Sequence, residues 1–250
     1  MALTNEFKKQ GGFLFKNRSY LPLIFLLIGL GVHIYGKIQN PEIESAIDEY
    51  YEFICLGVSL MGLVIRILTV GFTPKNTSGR NTKMGQVADE LNTTGMYSII
   101  RHPLYLGNFL MWLGVAMLTA NLWFIISFIF LFWLYYERIM YAEESFLIEK
   151  FGGDDYLIWS SLTPAFVPSF KKIIMPKYSF SIMKILKKEK NGMAAIFLLF
   201  WLFEWFEGII AYPHTYLITD FWFYAAISTS VLYLILKILK KRKRLDELGR

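Results

Sequence analysis

Apolar residues in this chain are gathered into six long blocks, and that arrangement limits its fold more than any other feature. The blocks cover residues 21–36, 53–72, 104–120, 122–136, 193–212 and 217–236. A membrane-crossing helix needs about 17–25 mostly apolar residues. Apolar residues make up 55% of the chain and charged residues 18%, against about 45–50% and 25% in soluble domains. With so little charge a soluble globule could hardly cover its own core. The expected fold is therefore all-α, a polytopic transmembrane bundle of about six spans. The first block is short and contains Pro22. The third and fourth are separated by almost nothing around Asn121, which predicts a tight helical hairpin.

The basic residues give an expected orientation. With six spans and the N-terminus inside, the inner segments are 1–20, 73–103, 137–192 and 237–250. They hold 4, 4, 9 and 7 Lys and Arg, or 24 of 26, leaving only Lys37 at a helix end and Arg66 inside the second block. The outer segment 40–52 has none but carries Glu42, Glu44, Asp48, Glu49 and Glu52. Cytoplasmic loops carry such an excess of Lys and Arg, so both termini are expected on the cytoplasmic side. The net charge of +6 then reflects topology rather than nucleic-acid binding. The run 240–244 is placed against anionic headgroups as a stop-transfer signal. The single cysteine, Cys55, excludes an intrachain disulfide and reads as a buried, inert thiol. No zinc-type ligand cluster and no signal-peptide pattern stand out, and no metal is expected.

The densest chemical signal is residues 95–107, GMYSIIRHPLYLG. Pro103 suits the first turn of a helix, where no amide donor is needed. Arg101 and His102 then precede a helix N-terminus, a place that favours anionic groups. Tyr105 falls in the first turn, and Gly107 permits close approach of a backbone or ligand. Singly these are an interfacial anchor, a cap and an aromatic; together in this order they point to a site. Downstream come Glu143-Glu144, Phe151-Gly152, Tyr156 and the stretch from Pro164 to Pro168.

These two ordered segments flanking a helical hairpin resemble the R-H-P-x-Y-x-G motif and the second motif of isoprenylcysteine carboxyl methyltransferase-like membrane enzymes. The resemblance covers about residues 53–170. It divides the chain into 1–52 with the first span, a methyltransferase-like core at 53–170, and 171–250 with two further spans and the basic tail. It implies an S-adenosylmethionine-dependent methyltransferase without a Rossmann domain, and no GxGxxG opens a helix here. By the same resemblance, Tyr97, His102, Pro103, Tyr105, Leu106 and Gly107 bind the cofactor in a cytoplasmic pocket. Arg101, Glu143 and Glu144 lie near the reacting centre. The resemblance implies a lipid or lipid-linked acceptor bearing a carboxylate, phosphate or amine. A second reading is an NADPH-dependent sterol-reductase-like oxidoreductase, whose related pattern has Glu after the Gly-equivalent position; here Asn108 stands there.

Three intramembrane charges remain. Arg66 lies in the second block, and Glu204 and Glu207 lie in the fifth at i,i+3 on one helical face. Unpaired charges are costly in a bilayer, so Arg66 is expected to pair with Glu204 or to meet a substrate headgroup. Arg66 and Glu204 are thus candidate substrate residues. His33 and His214 are isolated and receive no chemical role.

Overall fold

The computed structural model describes residues 2–40, 46–75, 80–82, 85–152, 154–211 and 219–247. Glu42, Glu44, Lys83, His214 and Arg250 lie outside the described residues. Among the described residues, eight α-helices follow in order: α1 (Leu3–Lys16), α2 (Leu21–Gln39), α3 (Ala46–Gly71), α4 (Pro103–Met117), α5 (Leu122–Phe151), α6 (Asp154–Leu162), α7 (Ile182–Ala211) and α8 (Phe221–Lys241). Between α3 and α4 lie a short antiparallel pair, β1 (Arg80–Thr82) and β2 (Gly85–Val87), and a 3-10 turn at Gly95–Ser98. Five helices (α2, the Tyr50–Gly71 part of α3, α5, α7 and α8) are long and apolar enough to cross a membrane. The fold is the expected helical membrane bundle. Much of its apolar surface points outward, including Leu23, Ile24 and Leu27 on α2 and Leu234, Ile235 and Ile238 on α8. Lipid is the solvent that such a surface requires.

The expected hairpin is α4–α5. α4 has 15 residues, about 22 Å, which is short of the ~30 Å hydrocarbon core. α5 has 30 residues, about 45 Å, and overshoots it, carrying Glu143 and Glu144 toward the end of the bundle where α4 starts. The turn is fixed by Ala120, with φ +48, and by Asn121, whose side chain accepts from the Phe124 amide at 2.9 Å.

α4 is the hub. On one side it joins α1 and α5 through Phe15, Tyr105, Phe128, Phe132, Tyr136 and Ile139. On the other it joins α3, α7 and α8 through Cys55, Leu63, Val115, Ile196, Phe200 and Trp222. Cys55 is fully buried in this second cluster. α3 and α4 approach closely at three glycines, Gly62, Gly107 and Gly114. A Cβ on Gly107 would stand 2.5 Å from Arg66 Cγ and 2.9 Å from the Gly62 carbonyl oxygen. Small residues at such a crossing let two membrane helices touch backbone to backbone.

Two elements depart from expectation. α1 falls in residues 1–20, expected only as an inner segment before the first span. It lies along α5, with Tyr135 donating to Leu14 O at 3.2 Å, Arg138 Nε donating to Gln10 Oε1 at 3.0 Å, and Phe7 edge-on to Tyr141. α7 starts at Ile182, well before the apolar block at 193. Its charged first turns are held because buried Lys184 Nζ donates to Thr73 Oγ1 and Pro74 O, both at 2.9 Å, and to Thr73 O. These acceptors follow the C-terminus of α3, where the helix has carbonyls without intrahelical partners.

Candidate active site

The site forms where the two sequence segments are stitched together by main-chain hydrogen bonds. The Arg101 amide donates to Pro164 O at 2.9 Å and the His102 amide to Ala165 O at 3.2 Å. The Ser169 amide donates to Ile99 O at 3.0 Å. Further out, the Gly95 amide donates to Ile174 O at 2.9 Å. Gly95 has φ +61, in the region that glycine enters without penalty. Trp159 Nε1 donates to Tyr97 O at 2.9 Å. Pro103 begins α4 and His102 is its N-cap position.

Four ionisable side chains and one phenol converge there. His102 Nε2 lies 2.8 Å from Glu144 Oε1. A carboxylate only accepts, so Nε2 carries the proton and donates. The other ring nitrogen, Nδ1, is 3.7 Å from Glu143 Oε2, and Tyr105 OH donates to that same oxygen at 2.6 Å. Arg101 Nε is 3.3 Å from Glu144 Oε1. The His102 ring is 96% buried, while both glutamates keep about a fifth of their side-chain surface exposed. Buried His102 and Tyr105 thus each position one carboxylate that still faces open space. Burial, with the Glu143 charge second, holds the Tyr97 phenol above the usual tyrosine range. Burial and the Glu144 charge do the same to Tyr156. Both are neutral phenols rather than phenolates.

Two hollows share this cluster as a wall. Tyr97, Arg101, His102 and Glu143 line both. One is a cleft toward the loops, with Glu90, Glu143 and Glu144 among aromatics that include Phe146, Tyr156 and Trp159. The other is a cavity of about 500 Å³ between the start of α2 and helices α3, α4 and α7, within the size of small-ligand sites. Its distinguishing residues are Arg18, Arg66, Lys188 and Asn191. A cation with an aromatic moiety suits the first hollow, and an anion suits the second.

Of the residues picked from sequence, Tyr97, Arg101, His102, Pro103, Tyr105 and Glu143 line the large cavity, and Glu144 lines the cleft. Leu106 lines neither, and Gly107 faces α3 rather than open space. Arg66 lines the cavity, but the expected pairing with Glu204 is wrong. Arg66 Nε and Nη2 donate to Glu189 at 2.7 and 2.9 Å, and Nη1 donates to Asn108 Oδ1 at 2.6 Å. Because α7 starts at Ile182, Glu189 lies on that helix beside Arg66. Glu204 is 15 residues further along, about 22 Å toward the opposite end. Glu204 lines neither hollow. Arg18, Lys188, Asn191 and Glu189 were missed. Arg18 had only its place before the first span as a signal. The other three fell in a stretch read as a connecting segment.

Residues 53–154 match the family model described as phospholipid methyltransferase. Over 116 residues the chain is 30% identical to a protein-S-isoprenylcysteine O-methyltransferase of Schizosaccharomyces pombe, covering 46% of this chain and 47% of that protein. Over 61 residues it is 39% identical to the Saccharomyces cerevisiae protein of the same name, covering 24% and 26%. It is also 36% identical over 85 residues to the nickel-cobalt-cadmium resistance protein NccN of Alcaligenes xylosoxydans xylosoxydans, covering 34% and 38%. The chain spans about half the length, or less, of these curated relatives. No solved structure matches it significantly.

Proposed function

We propose that this chain, whose residues 53–154 match the phospholipid methyltransferase family and which is similar over part of its length to isoprenylcysteine O-methyltransferases, moves a methyl group from S-adenosylmethionine to an anionic, lipid-borne acceptor. The observation that carries this reading is the shared wall: one cluster separates an acidic, aromatic cleft from a cationic cavity. The cofactor is a sulfonium and an ammonium joined to an adenine and a carboxylate. Glu143, Glu144 and the aromatic faces suit its cationic and adenine parts, and Arg101 suits its carboxylate. Arg18, Arg66 and Lys188 suit a carboxylate or phosphate on the acceptor. A protonated amine headgroup would meet those same cations and be repelled, which favours an oxygen acceptor.

The chemistry is an in-line displacement. The acceptor oxygen forms a bond to the methyl carbon as the sulfur–methyl bond breaks, and the electron pair returns to sulfur as a neutral thioether. An ionised acceptor loses its charge in the step, and no proton has to leave. The protein's task is alignment and exclusion of water. The His102–Glu144 and Tyr105–Glu143 hydrogen bonds would hold the wall rigid for that purpose. The excess of Lys and Arg in the inner segments supports a site at the cytoplasmic face with both termini inside. Tyr97, His102, Pro103 and Tyr105 would contact cofactor or acceptor; Leu106 and Gly107 would support the helix that carries them.

Calorimetric titration of the purified full chain in detergent tests the donor. S-adenosylmethionine is expected to bind at one site, with affinity at least tenfold weaker in Arg101→Ala. Equal affinity in wild type and Arg101→Ala would remove Arg101 from the cofactor site. NADPH binding with oxidation, and no S-adenosylmethionine binding, would point to the reductase chemistry instead.

A further inference from the structure

The end of the bundle opposite the site holds a second set of charges. Glu52 on α3 and Glu204 and Glu207 on α7 each present a carboxylate oxygen within 4.8 Å of the other two. His33 and Lys37, one turn apart on α2, meet the set at Glu207. Lys37 donates to Glu207 Oε1. Trp222 on α8 donates from Nε1 to Glu52 Oε2 at 2.7 Å. Were all three carboxylates ionised, one ammonium would leave two negative charges between apolar helices.

His33 supplies an independent observation. Its ring is 94% buried. Its Nδ1 lies 3.1 Å from Leu118 O, and a carbonyl only accepts, so Nδ1 carries a proton. Nε2 has no hydrogen-bond partner and lies 3.5 Å from Glu207 Oε2; in the neutral ring it presents a lone pair toward that carboxylate. A histidine whose one nitrogen donates to a backbone carbonyl and whose other is bare is the arrangement in which imidazole binds a metal ion.

We propose that Glu52, Glu204, Glu207 and His33 bind one divalent first-row transition-metal ion. The oxygen-rich set with one imidazole suits manganese or zinc, and two positive charges cancel the two uncompensated negative ones. Lys37 and Trp222 orient the carboxylates from behind. The ion would clamp α2 and α7 to α3, joining the flanking helices to the segment that carries the site. This assignment does not depend on the methyltransferase reading.

The full chain, purified in detergent and treated with a chelator, is titrated with Mn²⁺ while the free-ion signal is followed by electron paramagnetic resonance. One equivalent is expected to bind, to be displaced by Zn²⁺, and to raise the unfolding temperature. Glu204→Gln is expected to bind at least tenfold more weakly, and His33→Gln likewise. Glu137→Gln, a surface change on α5, should bind as wild type does. If Glu204→Gln fails to fold, His33→Gln carries the test. The proposal is overturned if wild type takes up no Mn²⁺ or Zn²⁺, or if His33→Gln binds either as tightly as wild type. It is equally overturned if Glu204→Gln is folded, metal-independent and as stable as the metal-treated wild type. In that case the carboxylates are held by a shared proton.

Discussion

The two ends of this bundle handle buried charge in opposite ways. At the site end, charges are paired: Arg66 with Glu189, and Arg101 and His102 with Glu143 and Glu144. Around those pairs space is left open, and residues of either sign face it. At the opposite end, Glu52, Glu204 and Glu207 crowd together against one lysine, with helices α2, α3, α7 and α8 around them. Pairing holds those side chains in place while leaving one hollow acidic and the other cationic, so that a ligand's own charge decides where it binds. Imbalance at the other end calls for a cation. The same cost of charge in hydrocarbon therefore yields a ligand-binding wall in one place and a proposed clamp in the other.

This contrast breaks most severely if the Arg66–Glu189 pair is cut. Arg66→Met leaves buried Glu189 without its partner, and loss of about 3–5 kcal/mol is expected. Adding Glu189→Leu should restore much of it, as read by thermal unfolding in detergent. A double variant no more stable than the single one would show that the pair is not what matters there. Next in size is Arg101→Ala, expected to lower methyl transfer about 100-fold through loss of alignment, with folding intact by gel filtration. Tyr105→Phe removes one hydrogen bond to a charged acceptor, a change of about 1.5–3 kcal/mol. It should appear in the maximal rate more than in cofactor affinity if Tyr105 holds Glu143 in place. Smallest is Lys188→Ala, expected to raise KM for an anionic acceptor a few-fold, with the difference shrinking as salt is added.

The membrane bundle was legible in the sequence because apolar blocks and one-sided basic residues are long-range patterns that survive any detail of packing. The α4–α5 hairpin was legible for the same reason, with Asn121 marking the turn. Pro103 marked the start of α4 to the residue. The union of residues 99–102 with 164–169 could not be read from spacing, because it is made by backbone groups that carry no residue identity. α7 was misjudged at its start. Lys184, Lys187, Lys188, Glu189 and Lys190 resemble a solvated connector until Thr73, Pro74 and Arg66 are seen to satisfy Lys184 and Glu189. That one boundary also produced the mistaken Arg66–Glu204 pairing. α1 was overlooked although Leu3, Phe7 and Leu14 keep helical spacing; short amphipathic segments rich in lysine carry a weaker signal than membrane spans. His33 carried no signal, since its meaning depends on a carbonyl and a carboxylate from two other helices.

The most direct measurement is transfer of labelled methyl from S-adenosylmethionine by the purified full chain into a total lipid extract, with wild type and Arg101→Ala side by side. Label is predicted in an acidic lipid or lipid-linked fraction for wild type, falling about 100-fold in the variant. Label confined to amine headgroups, equal label from both proteins, or no label from either would contradict it.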